Sequence, residues 1–332
     1  MKNNYWISVH LFYLEPWETF LTKAVNTFVN KVFDKKLAKQ FFFIRYWEKG
    51  AHIRLRFRGN KQLLENELKP LLIKHFEAYF KKHPTEFEEV KTMEKIAKTH
   101  NWFPNNSIQF IKYEPEVERY GGSYGLIISE EYFQVSSIAV LAAINDCKEW
   151  NYDVAMGYAI QMHLGFAFGV GMNLKESLFF YSSVLEKWFP NAFYYNKKMT
   201  KEVANKLHHD TYIAFEENFQ QQKEYLIPFF KTILNALKNE FVFEQEWMNV
   251  WIKEASKLKD KIIKIQKSKK LIVPSNFVFV PNINISEVRQ KRWSIYESYV
   301  HMTNNRLGIL NKDEAFLGYL IKKCLESIKN KS

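Results

Sequence analysis

From His52 to Arg58 the chain reads HIRLRFR, and its strict alternation allows only one backbone. Successive side chains of a β-strand point to opposite faces, so His52, Arg54, Arg56 and Arg58 share one face and Ile53, Leu55 and Phe57 the other. A helix would mix the two sets around its circumference. The stretch therefore predicts a strand whose apolar face is packed and whose cationic face confronts an anion. Just before it, FFFIRYW at 41–47 is a second strand, and EKGA between them is a short glycine-containing hairpin connection. This region holds Arg45, Arg54, Arg56 and Arg58, four of the chain's eight arginines, whereas the other forty basic residues are lysines spread along the sequence. Arginine presents a planar fork that grips a carboxylate or phosphate with two parallel hydrogen bonds, which a lysine cannot do.

The surrounding pattern extends this hairpin into a sheet. YWISVHLFY at 5–13 reads as a strand. From Glu15 to Lys35, Leu21, Ala24, Val25, Phe28, Val29 and Val32 recur every three or four residues along one helical face. A second helix is predicted over 62–82, a polar insertion over 83–106, and a fourth strand, SIQFIKY, ending at Tyr113. The order is βαββαβ, the ferredoxin-like arrangement, with two helices on one face of an antiparallel sheet and the other face open to a partner or ligand. Beyond Glu130 strand signals fade, and helices are predicted at 130–148, 152–170, 174–188, 200–220, 224–238, 241–268, 285–303 and 312–329. The glycines of GFAFGVGMN at 165–173 follow no strand, so they read as packing and helix-capping features rather than a phosphate loop. KKLIVPSNFVFVPNINIS at 269–286 is an extended interruption. The fold class expected is α+β: a ferredoxin-like half over 1–125 packed on a mainly helical half over 126–332, together one domain without a flexible linker.

With 332 residues, 47% of them hydrophobic, the chain can bury a large core. Its apolar runs, LIIS at 126–129 and SIAVLAAI at 137–144, fall short of the roughly 20 residues that span a bilayer. The N-terminus lacks the features of a secretory signal, so a cytoplasmic protein is expected. Cys147 and Cys324 lie in apolar helical patterns without metal-ligand spacing and read as core thiols. The net charge of +12 comes from dispersed lysines, the mark of a solvated surface more than of a nucleic-acid groove.

Two more stretches are as dense in chemistry as the arginine strand. YEPEVERYGG at 113–122 brings Glu114, Glu116, Glu118, Arg119 and Tyr120 together and ends on a glycine pair that lets backbone approach closely. SYVHMTNNRLG at 298–308 puts His301 and Asn305 one turn apart at a helix end, with Arg306 beside them. Each admits a plain alternative: arginines paired with nearby glutamates, a turn held by its own ion pairs, a capped histidine.

Together, FFIRYWEKGAHIRLRFRG, YEPEVERYGG and HMTNNRLG resemble the elimination domain of class I lanthipeptide dehydratases, the thiopeptide-type bacteriocin biosynthesis family. The resemblance covers essentially the whole chain, without the glutamylation domain that precedes the elimination domain in full-length dehydratases. It implies that a partner activity transfers glutamate from glutamyl-tRNA to serine or threonine of a precursor peptide, and that this domain expels the glutamate to leave dehydroalanine or dehydrobutyrine. Carried over by motif, Arg54, Arg56, Arg119 and His301 are the implied catalytic residues, and Arg45, His52, Tyr120, Asn305 and Arg306 the implied substrate contacts. Fixed guanidinium groups suit a departing dianion, and a histidine suits removal of the peptide α-proton. No metal and no cofactor are expected. The expected partners are the precursor peptide, both leader and glutamylated core, and a separate tRNA-dependent glutamylation protein; a homodimer is compatible with this, and neither membrane nor direct nucleic-acid contact is expected. Some stand-alone members of the family are pyridine synthases, which join two dehydroalanines in a formal [4+2] cycloaddition and eject the leader. That activity and a non-catalytic leader-binding scaffold are the alternatives.

Overall fold

The computed structural model describes residues 5–86, 99–278 and 285–329. Half of the polar insertion at 83–106 and part of the interruption at 269–286 lie outside them. The chain divides into two compact units, Met1–Pro115 with Phe133–Trp150, and Glu116–Tyr132 with Asn151–Ser332.

The first unit is built on four antiparallel strands, β1 (Tyr5–Phe12), β2 (Gln40–Tyr46), β3 (His52–Gly59) and β4 (Ser107–Phe110), in the order β2-β3-β1-β4. Helix α1, wide-turned over Phe20–Asn26 and regular over Thr27–Asp34, joins β1 to β2, and helix α2, continuous through Lys61–Leu63, Leu64–Leu68 and Lys69–Lys82, follows β3. Asn60 starts α2 by accepting from the backbone N–H groups of Gln62 and Leu63, the usual remedy for unsatisfied donors at a helix start. As the alternation requires, Ile53, Leu55 and Phe57 are fully buried. Phe28 of α1 meets Phe57 edge-on at 5.8 Å and Phe76 of α2 at 5.3 Å, so both helices pack against the apolar face.

Three expectations need correction here. The fourth strand stops at Phe110 instead of Tyr113: past Phe110 the chain leaves the ladder, and the Tyr113 ring packs against Trp6 and Phe42. The cationic face is only partly open: His10, His52 and Arg56 are 5%, 1% and 9% exposed, whereas Arg54 keeps 19% of its side chain exposed. Third, only Cys324 is a core thiol; Cys147 is half-buried and donates to the carbonyl of Glu149.

Helix α3 (Gly122–Asp146) passes from one unit to the other between Tyr132 and Phe133. In the first unit Gln134 Oε1 and Ser137 Oγ accept from the backbone N–H groups of Phe41 and Phe43 at 2.9 and 3.2 Å. These bonds cap the outer edge of β2, which would otherwise be free to pair with another chain. Among the described residues α3 alone is long and apolar enough to cross a membrane, and 67% of its apolar window is buried in protein. It begins at Gly122, earlier than the predicted 130.

The second unit is helical: α4 (Tyr152–Gly169), α5 (Leu174–Ala192), α6 (Lys201–Lys238), α7 (Glu246–Lys267), α8 (Glu287–Leu307) and α9 (Asn311–Lys329). Asn173 and Glu176 form a reciprocal capping box at the start of α5. The predicted break at 221–223 is absent: QQK contains only good helix formers, so α6 runs through it, with Pro228 in its interior. Gly308 closes α8 in the left-handed conformation, φ 89°, its N–H returning to Asn304. Trp251, Tyr132, Tyr299 and Phe166 make an aromatic core between α3, α4, α7 and α8.

Candidate functional site

In the first unit, the register pairs His52, Arg54, Arg56 and Arg58 with Phe12, His10, Ser8 and Trp6 of β1. The Gly50 carbonyl can only accept, so His52 donates to it from Nδ1 at 2.7 Å, and its Nε2 accepts from Arg54 Nε at 3.2 Å. This fixes the neutral tautomer and aims the guanidinium. Arg54 then lies over the Tyr46 ring, 3.4 Å from its centroid, with the exposed Glu48 carboxylate 3.8 Å away. Arg56 lies over the rings of Tyr113 and Phe42, at 4.2 and 5.2 Å. Stacking on aromatic faces holds a guanidinium without cancelling its charge.

Behind the arginines, the His10 ring stacks on His52 at 4.8 Å. Burial pushes His10 down to about 3, helped by His52, Arg54 and Arg56. His52 falls to about 4 through burial, with Arg54 adding to it while the bond to Gly50 resists. Both imidazoles are thus neutral spacers between cations, so the histidine in register with the arginines adds no charge to repel them. Arg45 stands on the opposite face, buried, with Nη1 2.8 Å from Glu18 Oε1. The sheet separates it from Arg54 and Arg56.

The second unit gathers the other two motifs around α8. The glycine pair of YEPEVERYGG turns there: Gly121 has φ +84°, and a side chain on it would sit 2.6 Å from Leu271 Cδ1 and 2.9 Å from Ile295 Cδ1. Only glycine brings this turn so close to α8. Arg119 therefore reaches Ser298 Oγ with Nε at 3.0 Å, and Glu116 lies 3.6 Å from its Nη1. Tyr120 is buried and stacks on Tyr299; burial pushes its hydroxyl up to about 12.

His301, 23% exposed in its side chain, is 2.9 Å from both carboxylate oxygens of Glu314 through Nδ1. The Glu314 side chain is 2% exposed. Burial and the nearby Arg119 oppose a charge on His301, but Glu314, by its charge and its hydrogen bond, outweighs them and raises the imidazole above its ordinary value. Glu297 acts in the same direction; it accepts from Trp188 Nε1 at 2.6 Å and from Lys187 Nζ at 2.8 Å. Asn305 is half-buried, and Arg306 is fully buried, donating from Nη1 to the Met302 carbonyl.

Of the implied residues, the first unit thus brings His52, Arg54 and Arg56 to one face and puts Arg45 on the other, while the second places Arg119, Tyr120 and His301 beside the same helix. Among the described residues no cluster of histidine, cysteine, aspartate and glutamate could hold a metal ion. Sequence reasoning missed Glu314 and Ser298. Glu314 lies in the first turn of α9 beside Asp313, where acids ordinarily complement a helix dipole, so only its burial reveals another role.

The chain matches the family described as lantibiotic biosynthesis dehydratase C-term over residues 6–325. No curated protein matches it. Among solved structures it is similar to the pyridine synthase TbtD from thiomuracin biosynthesis, with TM-score 0.72, 12% identity and coverage of 98% of this chain and 99% of that one. It is similar to TsrL, with TM-score 0.64, 14% identity and coverage of 98% and 96%. The tRNA-dependent lantibiotic dehydratase MibB from Microbispora sp. 107891 gives TM-score 0.59 and 16% identity, with 98% of this chain covering 28% of MibB. At these identities the likeness is one of fold. The match over nearly all of its length assigns the chain to the lantibiotic dehydratase C-terminal family.

Proposed function

We propose that this chain eliminates glutamate from glutamylated serine or threonine of a ribosomally made precursor peptide. The observation that carries this reading is the His301–Glu314 pair. Its Nδ1 is committed to a buried carboxylate, so Nε2 is the nitrogen available to substrate, and the carboxylate makes that nitrogen a stronger base than an ordinary imidazole. The step then balances simply. Nε2 takes the peptide Cα proton, the electron pair forms the Cα–Cβ double bond, the Cβ–O bond breaks, and glutamate leaves as a carboxylate.

Arg119, beside His301, and Arg54 and Arg56, held over aromatic rings, are the cations we assign to the glutamyl carboxylates. The reading requires a precursor peptide and a separate tRNA-dependent glutamylating protein as partners, all in the cytoplasm. We read the strand order β2-β3-β1-β4 as the ferredoxin-like one.

A second reading, pyridine synthesis, draws support from the likeness to TbtD over the full length of both chains. Mass spectrometry separates the two. The purified protein is incubated with glutamylated precursor, in which each retained glutamate adds a fixed mass. Elimination predicts loss of that mass to give dehydrated peptide. Unchanged glutamylated peptide overturns the proposal, and consumption of dehydrated peptide with release of a leader fragment establishes pyridine synthesis instead.

A further inference from the structure

Behind His301 runs a chain of buried polar groups. Asn304, fully buried on α8, donates from Nδ2 to Glu314 Oε1 at 3.0 Å, and its Oδ1 lies 2.8 Å from Nε2 of His163 on α4. His163 is itself 2% exposed, and its backbone carbonyl accepts from the buried Tyr181 hydroxyl on α5. Charge and hydrogen-bond logic fix every orientation along this line. Glu314 already accepts from His301, and as a carboxylate it accepts only; the Asn304 amide must therefore turn its N–H toward Glu314 and its oxygen toward His163. An amide oxygen accepts only, so His163 must donate from Nε2. The opposite amide orientation would set an oxygen against a carboxylate.

We propose that His163, Asn304 and Glu314 form a positioning relay that locks His301 in the Nδ1–H tautomer and presents its Nε2 outward. The inference rests on the reading of His301 as the base, but it concerns groups that touch no substrate. The relay crosses three helices, so the ring orientation of His301 is set by the packing of α4, α8 and α9 together. His163 must stay neutral for the line to close without a second charge, and burial, which pushes it down to about 4, keeps it so across the physiological range. The groups that face His301 are Glu314 from α9, Glu297 from its own helix and Arg119 from the segment before α3; Trp188 from α5 presents a ring to it at 6.0 Å. Lys187 faces Glu297. Glu314 is the only one of these groups bonded to the imidazole, so it should dominate the titration.

The test needs no substrate. Nitrogen-15 NMR of the intact protein, labelled at its histidines, reads tautomer and titration directly. Expected are a neutral His301 protonated at Nδ1 that titrates above pH 6.5, and a His163 protonated at Nε2 that stays neutral down to about pH 5. Glu314→Gln keeps an acceptor but removes the charge, and should lower the His301 midpoint by about one unit or more. His163→Phe removes the donor that holds the Asn304 oxygen and should shift the His301 ring resonances while Glu314 keeps the Nδ1–H tautomer; unshifted resonances overturn the relay. An Nε2–H tautomer for His301 in the wild-type protein overturns the relay, as does a His301 midpoint that Glu314→Gln leaves unmoved. The wild-type spectrum decides even where a variant fails to fold. A relay confirmed by NMR in a protein that leaves glutamylated peptide untouched would refute the elimination reading alone. With active protein, Glu314→Gln should shift the rising limb of the pH–rate profile to lower pH, a change that mere loosening of the fold does not produce.

Discussion

The two units bury imidazoles with opposite outcomes. On β1 and β3, His10 and His52 are packed among rings and cations, with no carboxylate among the described residues bonded to either, and burial drives both to the neutral form. On α8, His301 faces a buried carboxylate 2.9 Å away, which outweighs the same penalty and raises it. Burial alone therefore does not decide the charge of a histidine; the bonded partner does. The arginines show the same contrast within one sheet. Arg45 is buried against Glu18, an ion pair that belongs to the fold, whereas Arg54 is held by a ring and an imidazole and only distantly approached by Glu48.

The largest expected effect comes from removing the groups assigned to chemistry. His301→Ala, Arg54→Ala, Arg56→Ala or Arg119→Ala should each cost on the order of 10² to 10³ in elimination rate, the loss typical of one preorganised donor or base. Glutamylated peptide should accumulate in the co-expression mass spectrum while circular dichroism stays that of wild type. Lysine at Arg54, Arg56 or Arg119 should rescue poorly, because it keeps charge and loses the fork. Fully dehydrated peptide from the alanine variants would make the cationic strand a structural feature.

How much of this is legible in the sequence follows from what each signal measures. The alternation at His52–Arg58 located the cationic face because a period of two is a property of the chain itself. Helical periodicity likewise located the elements of the second unit, but it divided α6 at a polar stretch that carries no breaker. Asn304 and Glu314 were not legible: ten positions apart in sequence, they are joined across two helices, and neither asparagine near a helix end nor glutamate in a first turn distinguishes a buried network from ordinary capping. The coverage of the cationic face was also hidden, since Tyr113 lies in a stretch that reads as strand and instead folds back over Arg56.

Breaking the Arg45 pair should act on stability and not on chemistry. Glu18→Ala leaves a buried guanidinium without its carboxylate, and a buried pair broken from one side costs about 3 kcal/mol or more. Urea unfolding should show that loss, while the elimination rate of the folded fraction stays unchanged. A rate loss as large as that of Arg54→Ala would place Arg45 with the substrate contacts.

The histidine contrast can be sharpened by acid. His10, His52 and His163 have folded values below the ordinary 6.5, so between about pH 6.5 and pH 4 the unfolded chain binds protons that the folded chain refuses. Stability should fall as pH drops through that window, by about 1.4 kcal/mol per pH unit for each histidine. His301 has the opposite sign: its raised value stabilises the folded state below 6.5, and that contribution is lost as pH rises through its folded value. Unfolding free energies across pH 4 to 8 for His10→Gln/His52→Gln should show a shallower acid limb. An unchanged limb would mean that these imidazoles are not buried neutral.

The smallest effect tests the pairing of Arg54 most directly. Glu48 is 65% exposed and 3.8 Å from the guanidinium, a separation at which a surface pair contributes about 0 to 1 kcal/mol. If Arg54 takes a glutamyl carboxylate, Glu48 is a weak competitor for the same fork, and it must be displaced or shared when substrate arrives. Glu48→Gln removes the competing charge without disturbing the Tyr46 ring or the His52 bond that aim Arg54. Stability should then change by less than about 0.5 kcal/mol, and the KM for glutamylated peptide should fall about twofold, the ratio that such an energy corresponds to. The decrease should vanish in an Arg54→Ala background, where no fork remains to compete for. A rise in KM would mean the reverse relation: Glu48 would be aligning Arg54 for the substrate, and the ring and the imidazole would not be sufficient to hold it.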